Sequence, residues 1–206
     1  MLAGFLPKPR VVMEKILVDG LRLWFLSLYV IGIIVLLIKF LPSRSHEKEI
    51  EKRIHDSRRF LPMICLPVDW LVPPLILLWG VGEIQAAWMP LRIIGFGLSL
   101  YAFVILVWTP RVLGRFLVPP AVVFPDHELV TSGPFRVVRH PGFSGALALW
   151  LGAGLANLNW LLLELWLPLV VAKTIQARAE EELLQAKFGS AYEAYARQTG
   201  RFIPKF

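Results

Sequence analysis

One stretch of the chain, residues 129–145, combines basic and turn-forming residues between long apolar runs. It contains Arg139 and His140, followed directly by Pro141-Gly142. Charged and turn-forming residues are costly at a hydrophobic boundary, so their concentration there indicates a functional site. The segment is therefore the first candidate for polar chemistry at a membrane surface.

The composition of the 206 residues indicates an integral membrane protein. Hydrophobic residues make up 56% of the chain and the mean hydropathy is +0.61, which is more apolar surface than a soluble domain of this length buries. The net charge is +7, and the basic residues are spread between apolar runs instead of lining one groove. This distribution favours contact with anionic lipid headgroups over binding of nucleic acid.

Neither disulfide bonding nor metal chemistry is predicted. Cys65 is the single cysteine of the chain, so an internal disulfide is excluded. The Cys and His residues do not form a cluster with the spacing of metal ligands. We therefore expect a site without a metal ion.

Long apolar runs predict the membrane spans. The first three are residues 23–41, 61–81 and 91–108, and each is long enough at ~1.5 Å per residue to cross most or all of a ~30 Å hydrocarbon layer. Gly95-Phe96-Gly97 near the start of the third span would let another helix approach its backbone closely. The mixed-charge segment 44–60 is predicted to be a solvated helix or loop.

Two shorter apolar segments, 143–156 and 159–172, predict a tight helical hairpin. Each covers roughly 21 Å as a helix, which is short of a full crossing unless it extends at one end. No Gly or Pro lies between Pro168 and Gly189, so the second arm is expected to continue as an amphipathic helix. The predicted fold class is an all-α integral membrane protein of about five transmembrane helices, including this hairpin, followed by a cytosolic helix and tail.

The distribution of Lys and Arg predicts the orientation in the membrane. With five spans, segment 44–60, residues 109–142 and the C-terminal tail share one side and contain sixteen Lys and Arg residues. The opposite side holds five. Because cytoplasmic loops carry an excess of Lys and Arg, we expect the candidate site to face the cytoplasm.

Several motifs in the second half of the chain occur together and in order. They are Leu113-Gly114-Arg115-Phe116, His127 to Phe135, Val138 to Gly145, Glu180 to Leu184, Phe188 to Tyr192, Tyr195, and Arg201 to Pro204. The combination resembles the isoprenylcysteine carboxyl methyltransferase family, which groups with the phospholipid methyltransferases, and it covers roughly residues 91–206. Residues 1–60 carry no comparable signal.

The resemblance implies a membrane enzyme that uses S-adenosylmethionine. The positions that hold this cofactor in the family correspond here to His127, Leu129, Val130, Phe135, Arg139, His140, Pro141, Gly142, Phe143 and Glu180. A methyl donor with an ammonium, a carboxylate and a sulfonium needs an acidic partner, polar donors and a stacking surface for adenine. Glu180, His140 and the aromatic residues supply these groups.

Departures from the family pattern bear on the methyl acceptor. Phe135 and Phe143 stand where the family commonly has tyrosine, so two hydroxyl groups are missing. Gln176 stands where the family often has the arginine that engages a substrate carboxylate, and Arg178 is a nearby cation. We expect Gln176 and Arg178 to contact the acceptor, and Arg178 and Glu181 to orient it for catalysis.

These features predict two regions and one reaction. Residues 1–60 form an N-terminal segment, the first transmembrane helix and a charged cytosolic connection. Residues 61–206 form a methyltransferase core whose cofactor-binding half begins near residue 110. The favoured reaction is methyl transfer from S-adenosylmethionine to a lipidic or hydrophobic acceptor, as isoprenylcysteine-type carboxyl O-methylation. The expected partners are membrane lipids and this acceptor, without nucleic acid or metal.

Three other interpretations of the sequence stay open. Phospholipid headgroup N-methylation is the nearest, because Gln176 removes a carboxylate clamp. An NADPH-dependent membrane reductase of the sterol-reductase type is the second, since those longer enzymes share an Arg-His-Pro turn and an acidic helix. A non-catalytic membrane scaffold is the third, because basic residues such as Arg139 also anchor helix ends to headgroups.

Overall fold

The computed structural model describes residues 9–40, 52–53, 61–84, 88–116, 122–123 and 126–205. Its helices are α1 (Pro9–Phe40), α2 (Leu61–Trp79), α3 (Met89–Leu113), α4 (Pro141–Ala156), α5 (Trp160–Phe188) and α6 (Ser190–Gln198). Two short 3-10 helices, Gly114–Phe116 and Gly133–Arg136, border the loop between α3 and α4. Two-residue strands β1 (Lys52–Arg53) and β2 (Val122–Val123) pair antiparallel.

The helices confirm an all-α integral membrane protein. Within the described residues, four of them are long and apolar enough to cross a membrane, namely α2, α3, α5 and the Val12–Val35 part of α1. The apolar helix α4 has 16 residues and is therefore only ~24 Å long. The sequence predicts about five membrane helices, and these correspond to the four spans and the shorter α4.

The first span begins earlier than its most apolar run suggests. The run predicts residues 23–41, whereas α1 begins at Pro9 and its candidate span is Val12–Val35. Proline is well tolerated in the first turn of a helix, and apolar residues between the charges of residues 11–18 extend the hydrophobic stretch. Phe25, Leu28 and Tyr29 of this helix are buried in the common core with residues of α2 to α5. The division at residue 60 stays a prediction.

The predicted hairpin is formed by α4 and α5. Their turn contains Leu158 with a φ of 47°, and Asn159 caps α5 by accepting a hydrogen bond from the backbone N–H of Leu162 at 3.0 Å. The Asn159 side chain also donates to the Val81 carbonyl at 2.8 Å. The hairpin turn and the connection between α2 and α3 therefore meet at one end of the bundle.

The helices α3 and α4 pack with their backbones in direct contact. A Cβ atom added at Gly95 would lie 2.4 Å from the backbone nitrogen of Ala156, and one added at Gly152 would lie 2.8 Å from the Gly95 carbonyl oxygen. At Gly97 the same test meets no atom within 4 Å. The predicted close approach at Gly95-Phe96-Gly97 is confirmed at its first glycine.

The opposite end of the bundle gathers three segments that are distant in sequence. Strand β1 pairs with β2, and the backbone N–H groups of Arg139 and His140 donate to the carbonyls of Gly200 and Arg201 at 2.8 and 3.1 Å. These contacts place residues 52–53, the loop before α4 and the C-terminal tail together, as the five-span arrangement requires. The remainder of segment 44–60, predicted to be a solvated helix or loop, lies outside the described residues.

Candidate functional site

A cavity of about 640 Å³ lies where the loop before α4 meets α5. This volume falls in the range of ~300–1,000 Å³ that is usual for ligand pockets. Part of its wall comes from apolar residues of the membrane-spanning helices, among them Leu28 and Ile31 of α1, Leu66 and Trp70 of α2, and Phe103 of α3. The cavity thus joins the membrane-spanning part of the bundle to its polar end.

Local backbone chemistry shapes the loop that carries the polar residues. Gly133 has a φ of 58°, a left-handed conformation that glycine adopts without strain, and begins the 3-10 helix that buries Phe135. The Tyr195 hydroxyl donates to the Phe135 carbonyl at 2.7 Å and fixes this turn to α6. Burial of that hydroxyl raises the pKa of Tyr195 to about 12, so it remains a donor at neutral pH. Pro141 then starts α4 at a first-turn position.

His140 lies between two carboxylates of α5. Its Nδ1 is 3.3 Å from Glu180 Oε2 and its Nε2 is 3.3 Å from Glu181 Oε1. Burial of the ring opposes protonation, but hydrogen bonds and charge interactions with both carboxylates outweigh burial and raise the pKa of His140 above its ordinary value. The imidazole ring also stacks on Phe143, with centroids 5.4 Å apart and planes inclined by 4°. His140 therefore links α5 to the start of α4.

Glu181 is the centre of an ion-pair network beneath the loop. Its Oε1 accepts from Arg139 Nε at 2.9 Å, and Arg201 donates to both of its carboxylate oxygens at 3.1 and 2.6 Å. Arg139 also donates to the carbonyls of Ala196, at 3.0 Å, and Thr199. The network fastens the loop before α4 and the C-terminal tail to α5.

Lys173 and Asp69 are two site residues that the sequence reasoning missed. The ammonium of Lys173 on α5 pairs with the carboxylate of Asp69 on α2, and it lies 5.1 Å from the ring centroid of Phe143. Both residues line the cavity. The signal that would have found Asp69 is its position inside an apolar run, because ionisable residues within membrane spans usually have a function.

The structure brings most of the predicted site residues to one cavity. Those that line it are His127, Phe135, Arg139, His140, Pro141, Gly142, Phe143, Gln176 and Glu180. At the outer edge of this group, the His127 ring stacks on Phe116 at a centroid distance of 4.4 Å. Their common location agrees with the predicted cofactor site, whose residue roles stay predictions.

Four predicted residues do not belong to the described lining of the cavity, namely Leu129, Val130, Arg178 and Glu181. Arg178 is exposed, whereas Gln176 is buried. Two residues on an α-helix are about 200° apart around its axis, so Arg178 points away when Gln176 points in. The structure therefore does not place Arg178 in a position to contact an acceptor within the cavity.

Comparison with known proteins covers the part of the chain that supplies the polar end of this cavity. Residues 91–191 match the sequence model of the phospholipid methyltransferase family. The resemblance seen in the motifs is confirmed. Two proteins of rice, from Oryza sativa subsp. indica and subsp. japonica, are 35% identical over 81 residues, and each is named probable protein-S-isoprenylcysteine O-methyltransferase. The name of the family and the names of these two relatives all describe methyltransferases.

The matches cover only part of the chain, so some residues of the site lie inside the matched region and others lie outside it. The aligned part is 38% of this chain and 42% of each rice protein, so the match spans less than half of the length of these relatives. The family match includes the loop before α4 and most of α5. Asp69 and Arg201, which complete the two ion-pair systems, lie outside it.

Proposed function

We propose that this protein transfers a methyl group from S-adenosylmethionine to a lipidic acceptor. The observation that carries this proposal is that motif residues of the loop before α4 and Glu180 line the same cavity as apolar residues of α1, α2 and α3. A water-soluble donor and a membrane-embedded acceptor require a site with these two kinds of surface. The cavity provides both.

The residues at the polar end suit S-adenosylmethionine. Glu180 offers a carboxylate for an ammonium or hydroxyl group, while Phe143 and Phe116 add aromatic surface to the lining. At Gly142 an added Cβ would meet only the Thr109 methyl group at 3.9 Å, so the backbone here is open to a ligand. When bound, the cofactor supplies an electrophilic methyl group on a sulfonium. The protein's contribution is to align the acceptor with that methyl group and to exclude water.

The charge distribution supports a cytoplasmic position for the polar end. The side that contains the loop before α4 and the tail carries sixteen of the Lys and Arg residues, and the opposite side carries five. We propose that the cofactor enters from the cytosol and the acceptor enters between helices from the bilayer. Orientation in this sense gives each substrate a route through the medium in which it dissolves.

The acceptor site favours an amine headgroup over a carboxylate. Gln176 is buried in the cavity wall where an arginine would clamp a carboxylate, Arg178 is exposed, and the Lys173 cation is already paired with Asp69. We therefore propose phospholipid headgroup N-methylation as the reaction of this site. Carboxyl O-methylation, which the sequence favoured, is the second candidate because the rice relatives carry that activity in their names.

Cofactor binding tests the proposed function directly. We expect isothermal titration of the detergent-solubilised protein to show micromolar binding of S-adenosylmethionine and its demethylated product, and none of NADPH. Glu180→Gln removes one charge-assisted contact and should weaken this binding by roughly 10- to 100-fold. Glu193→Gln on the exposed face of α6 is the matched control. Binding of NADPH in place of S-adenosylmethionine would instead support a reductase.

Radiolabelled methyl transfer tests the acceptor. We expect label to enter phosphatidylethanolamine vesicles, and Gln176→Arg to suppress this transfer because the new cation repels an ammonium headgroup. Label that enters a farnesylcysteine analogue but not the amine lipid would contradict N-methylation and support carboxyl methylation. In that case Gln176→Arg is expected to increase the transfer.

A further inference from the structure

A buried ion pair lies in the cavity wall beside Phe143, at the edge of the cofactor motifs. Asp69 is 5% exposed and Lys173 is 3% exposed, and they join α2 to α5. Only one carboxylate oxygen of Asp69, Oδ2, bonds to Lys173, and Oδ1 is buried without a hydrogen-bond partner among the described residues. One strong acceptor atom in this wall is therefore unused.

Two more side-chain oxygen atoms of residues that line this cavity are also buried without a hydrogen-bond partner in the described part of the chain. Gln176 Oε1 and Thr109 Oγ1 are buried without hydrogen-bond partners among the described residues, and their side chains are 6% and 4% exposed as whole residues. Gln176 follows Lys173 by three residues on α5, so the two side chains share one helix face. Native proteins keep few buried polar atoms unpaired, and a group of them around a cavity indicates a ligand that supplies the missing donors.

We propose that Asp69, Lys173 and Gln176 form the subsite for the polar head of the acceptor, and that this head is an amine with N–H donors. The proposal rests on the proposed function and assigns its acceptor specificity to named residues. The unused oxygens of Asp69 and Gln176 accept hydrogen bonds and cannot donate them. A carboxylate head has no donor to offer and would face the charge of Asp69, whereas an ammonium head has N–H groups to donate to such oxygens. For the transfer the head must first give up one proton, which the Asp69 carboxylate can accept. The neutral nitrogen then bonds to the methyl carbon as the bond from that carbon to sulfur breaks, and S-adenosylhomocysteine leaves.

Lys173 connects this subsite to the cofactor end. Its ammonium holds Asp69 and lies over the face of Phe143, and the same ring stacks on His140. His140 in turn contacts Glu180 of the proposed cofactor site. The acceptor head and the methyl donor would therefore both lie near Phe143, within one continuous cavity.

The competing explanation is that the pair only fastens α2 to α5. A purely structural ion pair accounts for the bond between Lys173 and Asp69 Oδ2, but it makes no use of Asp69 Oδ1 or Gln176 Oε1. It also predicts no discrimination between lipid headgroups. Headgroup preference is therefore the measurement that separates the two explanations.

Native mass spectrometry of the full chain in detergent measures this preference. The probes are short-chain phosphatidylethanolamine and phosphatidylglycerol with identical acyl chains, and we expect the first to bind more tightly. Asp69→Asn should weaken phosphatidylethanolamine binding by about 10-fold and Gln176→Met by about 3-fold, with phosphatidylglycerol unchanged. The matched controls are Glu164→Gln and Gln185→Met. Native Glu164 is exposed on α5, and native Gln185 donates a hydrogen bond to Glu193 at the surface.

Binding of S-adenosylhomocysteine to the same variants separates this proposal from the proposed function. We expect Asp69→Asn and Gln176→Met to bind S-adenosylhomocysteine with the affinity of the native protein, because neither substitution changes a residue of the cofactor motifs. Equal binding of the two lipids by the native protein, or an equal loss of both in Gln176→Met, would overturn the subsite. If Asp69→Asn does not fold, Gln176→Met decides the question. Its folding should be less affected, because Gln176 Oε1 has no hydrogen-bond partner among the described residues that the substitution would remove. Failure to bind S-adenosylhomocysteine, with headgroup preference retained, would overturn only the proposed function.

Discussion

Glu181 and Arg201 form a two-point ion pair, in which Arg201 Nε and a terminal guanidinium nitrogen donate to separate carboxylate oxygens at 3.1 and 2.6 Å. The pair joins the C-terminal tail to the C-terminal part of α5. Adjacent to it, the tail backbone at Gly200 and Arg201 accepts hydrogen bonds from Arg139 and His140. The geometry of the polar end therefore depends on residues at the very end of the described chain.

Arg201→Gln is expected to destabilise this end of the protein. The substitution leaves a largely buried carboxylate with fewer donors, and we expect a loss of about 1–2 kcal/mol of folding stability in detergent. Arg197→Gln is the matched control, because its ion pair with Glu193 is exposed and spans 4.0 Å. Thermal unfolding of both variants checks the prediction. Equal midpoints for the two would show that the Glu181 network adds no stability.

The cluster of His140, Glu180 and Glu181 predicts a pH-dependent stability. Since the carboxylates raise the pKa of His140 above its ordinary value of 6.5, the stabilisation is complete below that value and is lost as pH rises through the higher folded pKa. We expect the native protein to exceed His140→Gln in thermal stability by the largest margin in mild acid. The margin should shrink at alkaline pH, and a margin that grows there would contradict the prediction.

His127 provides a control of opposite sign for that experiment. Burial, with the nearby Lys187 charge, lowers the pKa of His127 below its ordinary value of 6.5. Its neutral form therefore stabilises the fold above that value, and this contribution is lost as pH falls through the lower folded pKa. The margin between the native protein and His127→Gln should accordingly shrink towards acid. Thermal unfolding across about pH 5 to 9 reports both histidines.

The glycines of the α3–α4 contact should differ in their tolerance of alanine. Gly95→Ala forces a methyl group against the backbone of Ala156, and we expect a cost of about 1–3 kcal/mol from overpacking. Gly97→Ala, two residues later on the same helix, meets open space and should be neutral. Expression level and thermal stability in detergent measure both. A stable Gly95→Ala would mean that the two helices can separate at little cost.

The topology is tested by labelling single cysteines. In a Cys65→Ala background, Ser45→Cys and Lys205→Cys should both react with a membrane-impermeant reagent from the cytoplasmic face. Val81→Cys, at the end where α2 joins α3, should react only from the other face. Labelling of positions 45 and 205 from opposite faces would contradict the five-span arrangement.

The local patterns of the sequence were sufficient to predict most of the membrane spans and the position of the polar loop. Apolar runs long enough to cross a bilayer predict helices because unpaired backbone groups are too costly in lipid. The helices α2 to α5 begin close to the starts of their runs, whereas the span in α1 begins well before its run. The motifs around His140 and Glu180 predicted one shared site, and both residues line the cavity. These results depend on composition and short spacing, which a single chain displays directly.

Tertiary structure alone decided which charged residues face one another. Asp69 and Lys173 are 104 positions apart, and only the packing of α2 on α5 brings them together. The rotation of α5 likewise buries Gln176, exposes Arg178 and turns Glu181 towards Arg139 and Arg201. Sequence spacing defines angles between residues on one helix, but the direction in which that helix faces depends on its neighbours. For this reason the sequence predicted the cofactor motifs and an acceptor contact at Gln176, while Asp69 and Lys173, which are proposed to hold the acceptor with it, emerged from the fold.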